Sequence, residues 1–161
     1  DHLMFLISDK YIWIPLYIIL IYYILNQKNK FKYLQLSLII LAVILSDFIT
    51  SSIMKPFFER LRPCHDNEIN ESINLVGICR GMYGFASSHA STTFSLATIM
   101  YLFFKKNKIF IYLFIWSILI SYSRIYLGVH YPLDVLAGSG IGALVSLSIF
   151  KFQKIYFKNN V

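Results

Sequence analysis

Three short stretches, far apart in a very apolar chain, carry side chains suited to handling an anion and moving a proton. Lys55 through Arg62-Pro63 is the first, Ser87-Ser88-His89 the second, and Ser123-Arg124 with His130 and Asp134 the third. Lys55, Arg62 and Arg124 can clamp the non-bridging oxygens of a phosphate ester or anhydride, arginine through its planar fork and lysine as a point charge. Ser87 or Ser88 can cap a helix start whose first N–H groups also attract an anion. Together they suit the charge that phosphoryl transfer spreads over its equatorial oxygens. Two histidines supply the rest: one neutral imidazole can attack phosphorus while the other, protonated, donates to the leaving oxygen. Asp134 follows His130 by four residues, and Pro132 fits the first position of a helix beginning between them. The carboxylate then lies in the first helical turn, where it can hold an imidazole N–H and fix the tautomer. The residues alone leave open which histidine attacks. No second carboxylate accompanies the histidines, so no two-metal site and no cofactor is expected.

The elements that must position these residues are membrane helices. The chain has 161 residues, 57% hydrophobic and only 14% charged, with a mean hydropathy of +0.61, too apolar for an ordinary soluble domain. The expectation is one all-α domain over residues 1–161, an integral membrane helical bundle with an outer loop at about 56–87. Five apolar stretches approach the ~20 residues that a span needs: Tyr11 to Leu25, Leu34 to Met54, Ser88 to Phe104, Ile109 to Tyr126 and Leu133 to Phe150. The first is short. Leu3 to Ile7 is too short to span and suits an interfacial helix. Because the chain opens at Asp1, further N-terminal sequence is expected, and a sixth helix before residue 1 stays open. No cleavable signal peptide is visible.

The net charge of +7 does not point to nucleic acid, because of where the cations lie. Lys28, Lys30 and Lys32 occupy one loop, Lys105, Lys106 and Lys108 another, and Lys151, Lys154 and Lys158 the tail. In a serpentine chain these share one side, which the positive-inside rule assigns to the cytoplasm. The acidic residues fall in or toward the opposite side. The three reactive clusters therefore meet at the outer membrane face.

Plainer readings account for several other residues. Arg60, Arg80, His2 and His65 read as interfacial anchors. Asp47, inside the second stretch, must face the bundle or a wet cavity. Spacings of four align it with Ser51 and Lys55, and a structural hydrogen bond is preferred to direct chemistry. Gly138 and Gly142 read as a helix-packing contact, since no strand precedes them to form a phosphate loop. Ser91, Thr92, Ser95, Ala97 and Thr98 make the third stretch small and mildly polar, which suits a central helix. Cys64 and Cys79 lie in the outer loop, where a disulfide is expected if that side is oxidising. Such a bond is worth about 3 kcal/mol for a loop of about fifteen residues. No ligand cluster around them suggests a metal site.

These motifs resemble those of the type 2 phosphatidic acid phosphatase and vanadium haloperoxidase superfamily: Lys, six residues, Arg-Pro; then Pro-Ser-Gly-His; then Ser-Arg, five residues, His, three residues, Asp. The first and third are matched at every defining position. In the middle motif Ala86 stands for Pro and Ser88 for Gly, so Ser88 must keep its side chain clear of phosphate or add its hydroxyl to the pocket. The resemblance implies a helical core, in the lipid phosphatase branch typically with six membrane helices, and no metal. It further implies His130 as the nucleophile that forms a phosphohistidine, His89 as the acid and then the base, and Asp134 as the orienter, with Lys55, Arg62, Ser87 and Arg124 on phosphate. The expected function is a metal-independent membrane lipid phosphatase, in a bacterial inner membrane with its site on the periplasmic side. Undecaprenyl diphosphate is the preferred substrate, because small bacterial members resemble its phosphatases. Phosphatidylglycerol phosphate, phosphatidic acid or a lipid A phosphate stand behind it. A vanadate-dependent haloperoxidase is a rival disfavoured by the apolar spans, and a non-catalytic anionic-lipid transporter or scaffold is another. The partners expected are the lipid substrate and the bilayer, with no protein partner legible.

Overall fold

The computed structural model describes residues 1–73, 75–76 and 78–159. Where no water can satisfy the backbone, an apolar segment must satisfy its own N–H and C=O groups, which a helix does. The described residues accordingly form helices: α1 His2–Ser8, α2 Ile14–Leu25, α3 Lys32–Phe48, α4 Lys55–Phe58, α5 Ser88–Phe103, α6 Tyr112–Tyr126 and α7 Pro132–Asn159. Among them the only extended pairing is an isolated antiparallel bridge between Leu61 and Tyr83.

Local chemistry sets the boundaries. The Asp9 side chain accepts from the Tyr11 N–H at 3.0 Å, starting a 3-10 turn over Lys10–Trp13. The Trp13 indole donates back to the Ile7 carbonyl at 2.8 Å, across a bend of 61° between α1 and the helix that follows. At the far end of α2, Lys32 donates to the Leu25 carbonyl at 2.7 Å, placing a cation at a helix C-terminus, where the dipole favours it. A π-helical segment, Ile49–Met54, joins α3 to α4 without a break, so the second apolar stretch runs as one helical rod from Lys32 to Phe58. The last helix also outruns its apolar stretch, continuing past Phe150 to Asn159.

Three helices among the described residues are long and apolar enough to cross a membrane, at Lys32–Phe58, Lys108–Tyr126 and Pro132–Tyr156. The bent pair His2–Ser8 with Lys10–Leu25 makes a fourth if it counts as one span. The fifth expected span, α5, has 16 residues, or about 24 Å of helix at 1.5 Å per residue.

α5 occupies the middle of the bundle, packed against α3, α6 and α7, and eight of its residues, Ala90, Ser91, Thr93, Ser95 and Ala97 to Met100, are buried. Its closest neighbour is α7, and the reason is the glycine pair. A Cβ on Gly138 would lie 2.3 Å from the Ser87 carbonyl oxygen, and one on Gly142 only 2.1 Å from that of Ser91. The contact is sealed by Ser146, whose hydroxyl donates to the Ser95 carbonyl at 2.9 Å. With that proton committed, the Ser95 hydroxyl is the donor in the 2.9 Å pair with Ser146 Oγ. Ser91 donates to the Ser46 carbonyl at 3.2 Å, tying α5 to α3.

The apolar core joins four of the helices. Leu20 and Ile24 of α2, Ile39 and Ala42 of α3, Ile99 and Met100 of α5 and Leu113, Trp116 and Ile120 of α6 form one cluster. Large apolar side chains on the outer surface, among them Ile18, Ile19, Ile44, Ile118 and Leu144, remain exposed, as helices solvated by lipid tails require.

Candidate active site

The three motifs converge at one end of the bundle, around a cavity of about 900 Å³. Lys55, Arg62, Ser88, His89 and Arg124 line it, together with Asp47. α1 and the turn after it close one side: Phe5, Ser8, Tyr11 and Trp13 are also on the wall. Ser8 contacts the Arg124 guanidinium directly, and Tyr126 donates to Asp1 at 3.1 Å. The sequence reading placed α1 at the interface and missed these contacts, since nothing in its composition says which helix end it covers. Arg80, read as an anchor, lines the cavity as well, while His2 and His65 are exposed.

His130 and Asp134 stand behind the cavity wall, 3% and 0% exposed. α7 begins at Pro132 with Asp134 in its first turn. Asp134 Oδ2 accepts the Tyr131 N–H at 2.9 Å, the backward half of a capping box. The same oxygen lies 3.4 Å from His130 Nδ1, a close approach outside hydrogen-bond geometry, so Nδ1 has no hydrogen-bond partner among the described residues. The proximity still makes Nδ1 the nitrogen that Asp134 would hold and leaves Nε2 for another role. Burial pushes the imidazole down to about 4, with Arg62 and Arg124 acting in the same direction and Asp134 opposing them. His130 is therefore neutral at neutral pH.

Asp134 has a second partner that sequence reasoning set aside. Arg60 Nη1 donates to Asp134 Oδ1 at 3.1 Å, and its guanidinium lies 4.2 Å from the centre of the Tyr131 ring. The Tyr131 hydroxyl in turn donates to Asp66 Oδ2 at 2.7 Å. That bond holds the partly buried Asp66 carboxyl below its usual range, helped by the Glu68 N–H. Desolvation and the same aspartate push the Tyr131 phenol up to about 12, so it stays a donor. Cys64 and Cys79 form a disulfide with Cα atoms 6.3 Å apart, fastening the loop that carries Arg60, Arg62 and Asp66. His65 lies beside them, and the three residues place ligand atoms within 4.8 Å of one another. With both sulfurs bonded, only the imidazole keeps a free donor pair, which is too few for a metal centre.

Arg62 is 8% exposed and donates from Nε to the Tyr83 carbonyl at 3.2 Å. Ser87 is the N-cap residue of α5, but its hydroxyl makes no cap hydrogen bond. Its N–H donates to the Asp134 carbonyl at 2.9 Å, joining the second motif to the third. Ser88, standing where the middle motif has Gly, adds its hydroxyl to the pocket: it receives a 2.7 Å hydrogen bond from Lys55 Nζ. Among the described residues Ser87 Oγ, Arg124 Nε and His130 Nδ1 are buried polar atoms without a hydrogen-bond partner, as are Thr98 Oγ1, Trp116 Nε1 and Ser121 Oγ elsewhere on α5 and α6. Such atoms are rare in folded proteins, and at the cavity a bound ligand is one way to satisfy them. Donors gathered from three motifs around one cavity fit an oxyanion with several oxygens.

A helical bundle whose cavity gathers a lysine, arginines, a serine and a histidine suits a phosphate-handling membrane protein. The chain belongs to the PAP2 superfamily, whose pattern matches residues 35–157. It is 34% identical over 145 residues to the lipid A 4'-phosphatase of Bacteroides thetaiotaomicron, covering 88% of this chain and 64% of the relative. It is 31% identical to the undecaprenyl-diphosphatase of Sulfolobus acidocaldarius over 85% of this chain and 61% of that one. The chain thus spans just under two thirds of the length of these curated relatives. The crystal structure of Aquifex aeolicus LpxE superposes with a TM-score of 0.69 at 31% identity, covering 93% of this chain and 82% of that one.

Proposed function

We propose that the protein is a metal-independent lipid phosphatase working at the outer face of a bacterial inner membrane. Its bundle would cross the bilayer five times, α5 being the span sheltered by the others. The observation that carries this reading is the convergence of Lys55, Arg62, Ser88, His89 and Arg124 on one cavity, with His130 and Asp134 directly behind it.

In this mechanism Lys55, Arg62, Ser87, Ser88 and Arg124 bind the phosphate oxygens. Nε2 of neutral His130 attacks phosphorus, and the bond to the lipid oxygen breaks as His89 delivers a proton to it. The negative charge of the bound phosphate favours the protonated form of His89 at that moment. The product is a phosphohistidine and a lipid alcohol, or a lipid monophosphate if the substrate is a diphosphate. His89, now neutral, takes a proton from water, whose oxygen attacks phosphorus and releases inorganic phosphate with His130 restored. Asp134 orients His130 and stabilises the positive charge that develops on it.

A lipid A phosphate is the substrate favoured here, supported by relatives of that name in Bacteroides thetaiotaomicron and in Porphyromonas gingivalis, each 34% identical and covering 88% and 94% of this chain. Undecaprenyl diphosphate, first in the sequence reading, is the second candidate, supported by the Sulfolobus acidocaldarius relative. The test is purified protein in detergent with EDTA, offered lipid A, undecaprenyl diphosphate, phosphatidylglycerol phosphate and phosphatidic acid. Phosphate release is expected from at least one, falling by about a thousandfold or more in His130→Ala, as loss of a nucleophile does. No release from any of them, with His130→Ala indistinguishable from wild type, overturns the reading.

A further inference from the structure

A line of hydrogen bonds leaves the oxyanion pocket and runs down the helical rod of α3 and α4 to a carboxylate. Lys55 Nζ donates to Ser88 Oγ at 2.7 Å, Ser88 Oγ and Ser51 Oγ lie 2.9 Å apart, and Ser51 Oγ donates to Asp47 Oδ1 at 3.2 Å. Proton counting fixes the direction of each bond. An ammonium only donates and a carboxylate only accepts, and each hydroxyl has one proton. Ser51 commits its proton to Asp47, so Ser88 must donate to Ser51 and accept from Lys55. Every link points from the cation to the anion.

We propose that Asp47, Ser51 and Ser88 are positioning residues that hold the Lys55 ammonium at the phosphate pocket, with Asp47 as its counter-charge. The inference rests on Lys55 binding an oxyanion, as in the function above. Two hydroxyls between the charges matter physically. A direct Asp47–Lys55 pair would draw the ammonium onto the carboxylate, whereas the relay keeps them apart and leaves two ammonium protons for a ligand. A carboxylate within a membrane helix also needs partners facing the bundle or a wet cavity, and Asp47 has both the Ser51 hydroxyl and the pocket. The link depends on Ser88 standing where the middle motif has Gly, since glycine has no hydroxyl to bridge Lys55 and Ser51. Ser88 makes these bonds in the unliganded state, and both it and Asp47 also line the cavity.

The test uses orthovanadate as the oxyanion probe, so that binding is read apart from turnover. Ser51→Ala, which does not line the cavity, and Asp47→Asn, which takes no donor away from the anion, are each expected to weaken vanadate binding by about 3- to 10-fold, the value of an ordinary net hydrogen bond. KM for the lipid substrate rises in parallel, with kcat held within about twofold, and Ser51→Thr restores binding because the hydroxyl returns. In a Lys55→Ala background the same two substitutions cost less than about twofold, as residues acting through Lys55 must. Unchanged vanadate affinity in both single variants, or losses that simply add to that of Lys55→Ala, overturns the relay, and so does a wild type that binds no vanadate. Thermal midpoints and elution volumes matched to wild type separate these outcomes from misfolding. A wild type that binds vanadate with this pattern but releases phosphate from no lipid leaves the relay standing and removes the phosphatase.

Discussion

Replacing Arg60 by alanine probes the part of the site that lies behind His130, the proposed nucleophile. Arg60 takes up Asp134 Oδ1 at 3.1 Å, the carboxylate being fully buried and the guanidinium 36% exposed. A hydrogen bond to a charged group is worth about 1.5–3 kcal/mol, and exposure of one partner brings this one to about 1–2 kcal/mol. If that energy orients Asp134, and through it His130, its loss appears in the transition state as a fall in kcat of about 5- to 30-fold. The pH dependence separates this from general loosening. His130 sits at about 4 because burial, Arg62 and Arg124 outweigh the pull of Asp134. Without Arg60 the carboxylate charge is no longer shared, the imidazolium is favoured and the His130 pKa rises. In the proposed mechanism the neutral imidazole attacks, so the acid limb of kcat/KM is expected to move to higher pH. The assay is phosphate release from the best lipid substrate between pH 3 and 8, for wild type, Arg60→Ala and Arg60→Lys. Lysine keeps the charge but loses the planar stack on Tyr131, and is expected to recover part of the rate and most of the limb position. A rate within about twofold of wild type for Arg60→Ala, or an acid limb that stays in place, refutes the reasoning.

Other substitutions test the scaffold. Cys64→Ser with Cys79→Ser removes the cross-link over a separation of 15 residues, and is expected to cost about 2–4 kcal/mol in unfolding free energy, read by thermal unfolding in detergent with and without reductant. Gly142→Ala would bring a methyl to 2.1 Å from the Ser91 carbonyl, where only backbone movement relieves the clash. A loss of at least about 2 kcal/mol is expected, whereas Gly140→Ala, with nothing within 4 Å of its Cβ position, should raise the thermal midpoint slightly, as alanine is the better helix former.

Spacing carried much of this architecture in the sequence. The glycine pair is legible because two small residues four apart, inside an apolar helix, have one common use, and Asp134 in the first turn of α7 follows from Pro132. The middle of the site was less legible. Arg60 and Arg62 stand two residues apart, yet one holds Asp134 and the other the Tyr83 carbonyl. That division is set by the path of the loop and its pairing with Tyr83, which no local pattern encodes. The Ser88 hydroxyl could be foreseen as either clear of the pocket or part of it; only the placement of Lys55 and Ser51 decides. The capping of the cavity by α1 escaped for the same reason, since a seven-residue helix carries no signal of what it covers. The rod from Lys32 to Phe58 was read as ending near Met54, because Lys55, Pro56 and the polar residues beyond mimic a stop. Pro56 instead stands inside the continuous rod, directly after the π-helical segment.

The π-helical segment Ile49–Met54 gives that rod a particular genetic tolerance. A π-turn accommodates more residues than an α-turn over the same hydrogen-bonded path, so it behaves as an insertion absorbed into the helix. Removing one residue there would return the rod to regular winding and leave what lies beyond close to its present facing. Removing one from the regular turns of α3 would instead turn everything beyond it by about 100° and draw it back about 1.5 Å. Lys55 would then swing off Ser88, and the loop bearing Arg60 and Arg62 would start from the wrong side of the rod. Loss of a single codon is therefore borne inside the segment, whereas upstream of it the same loss turns one wall of the pocket away from the other two.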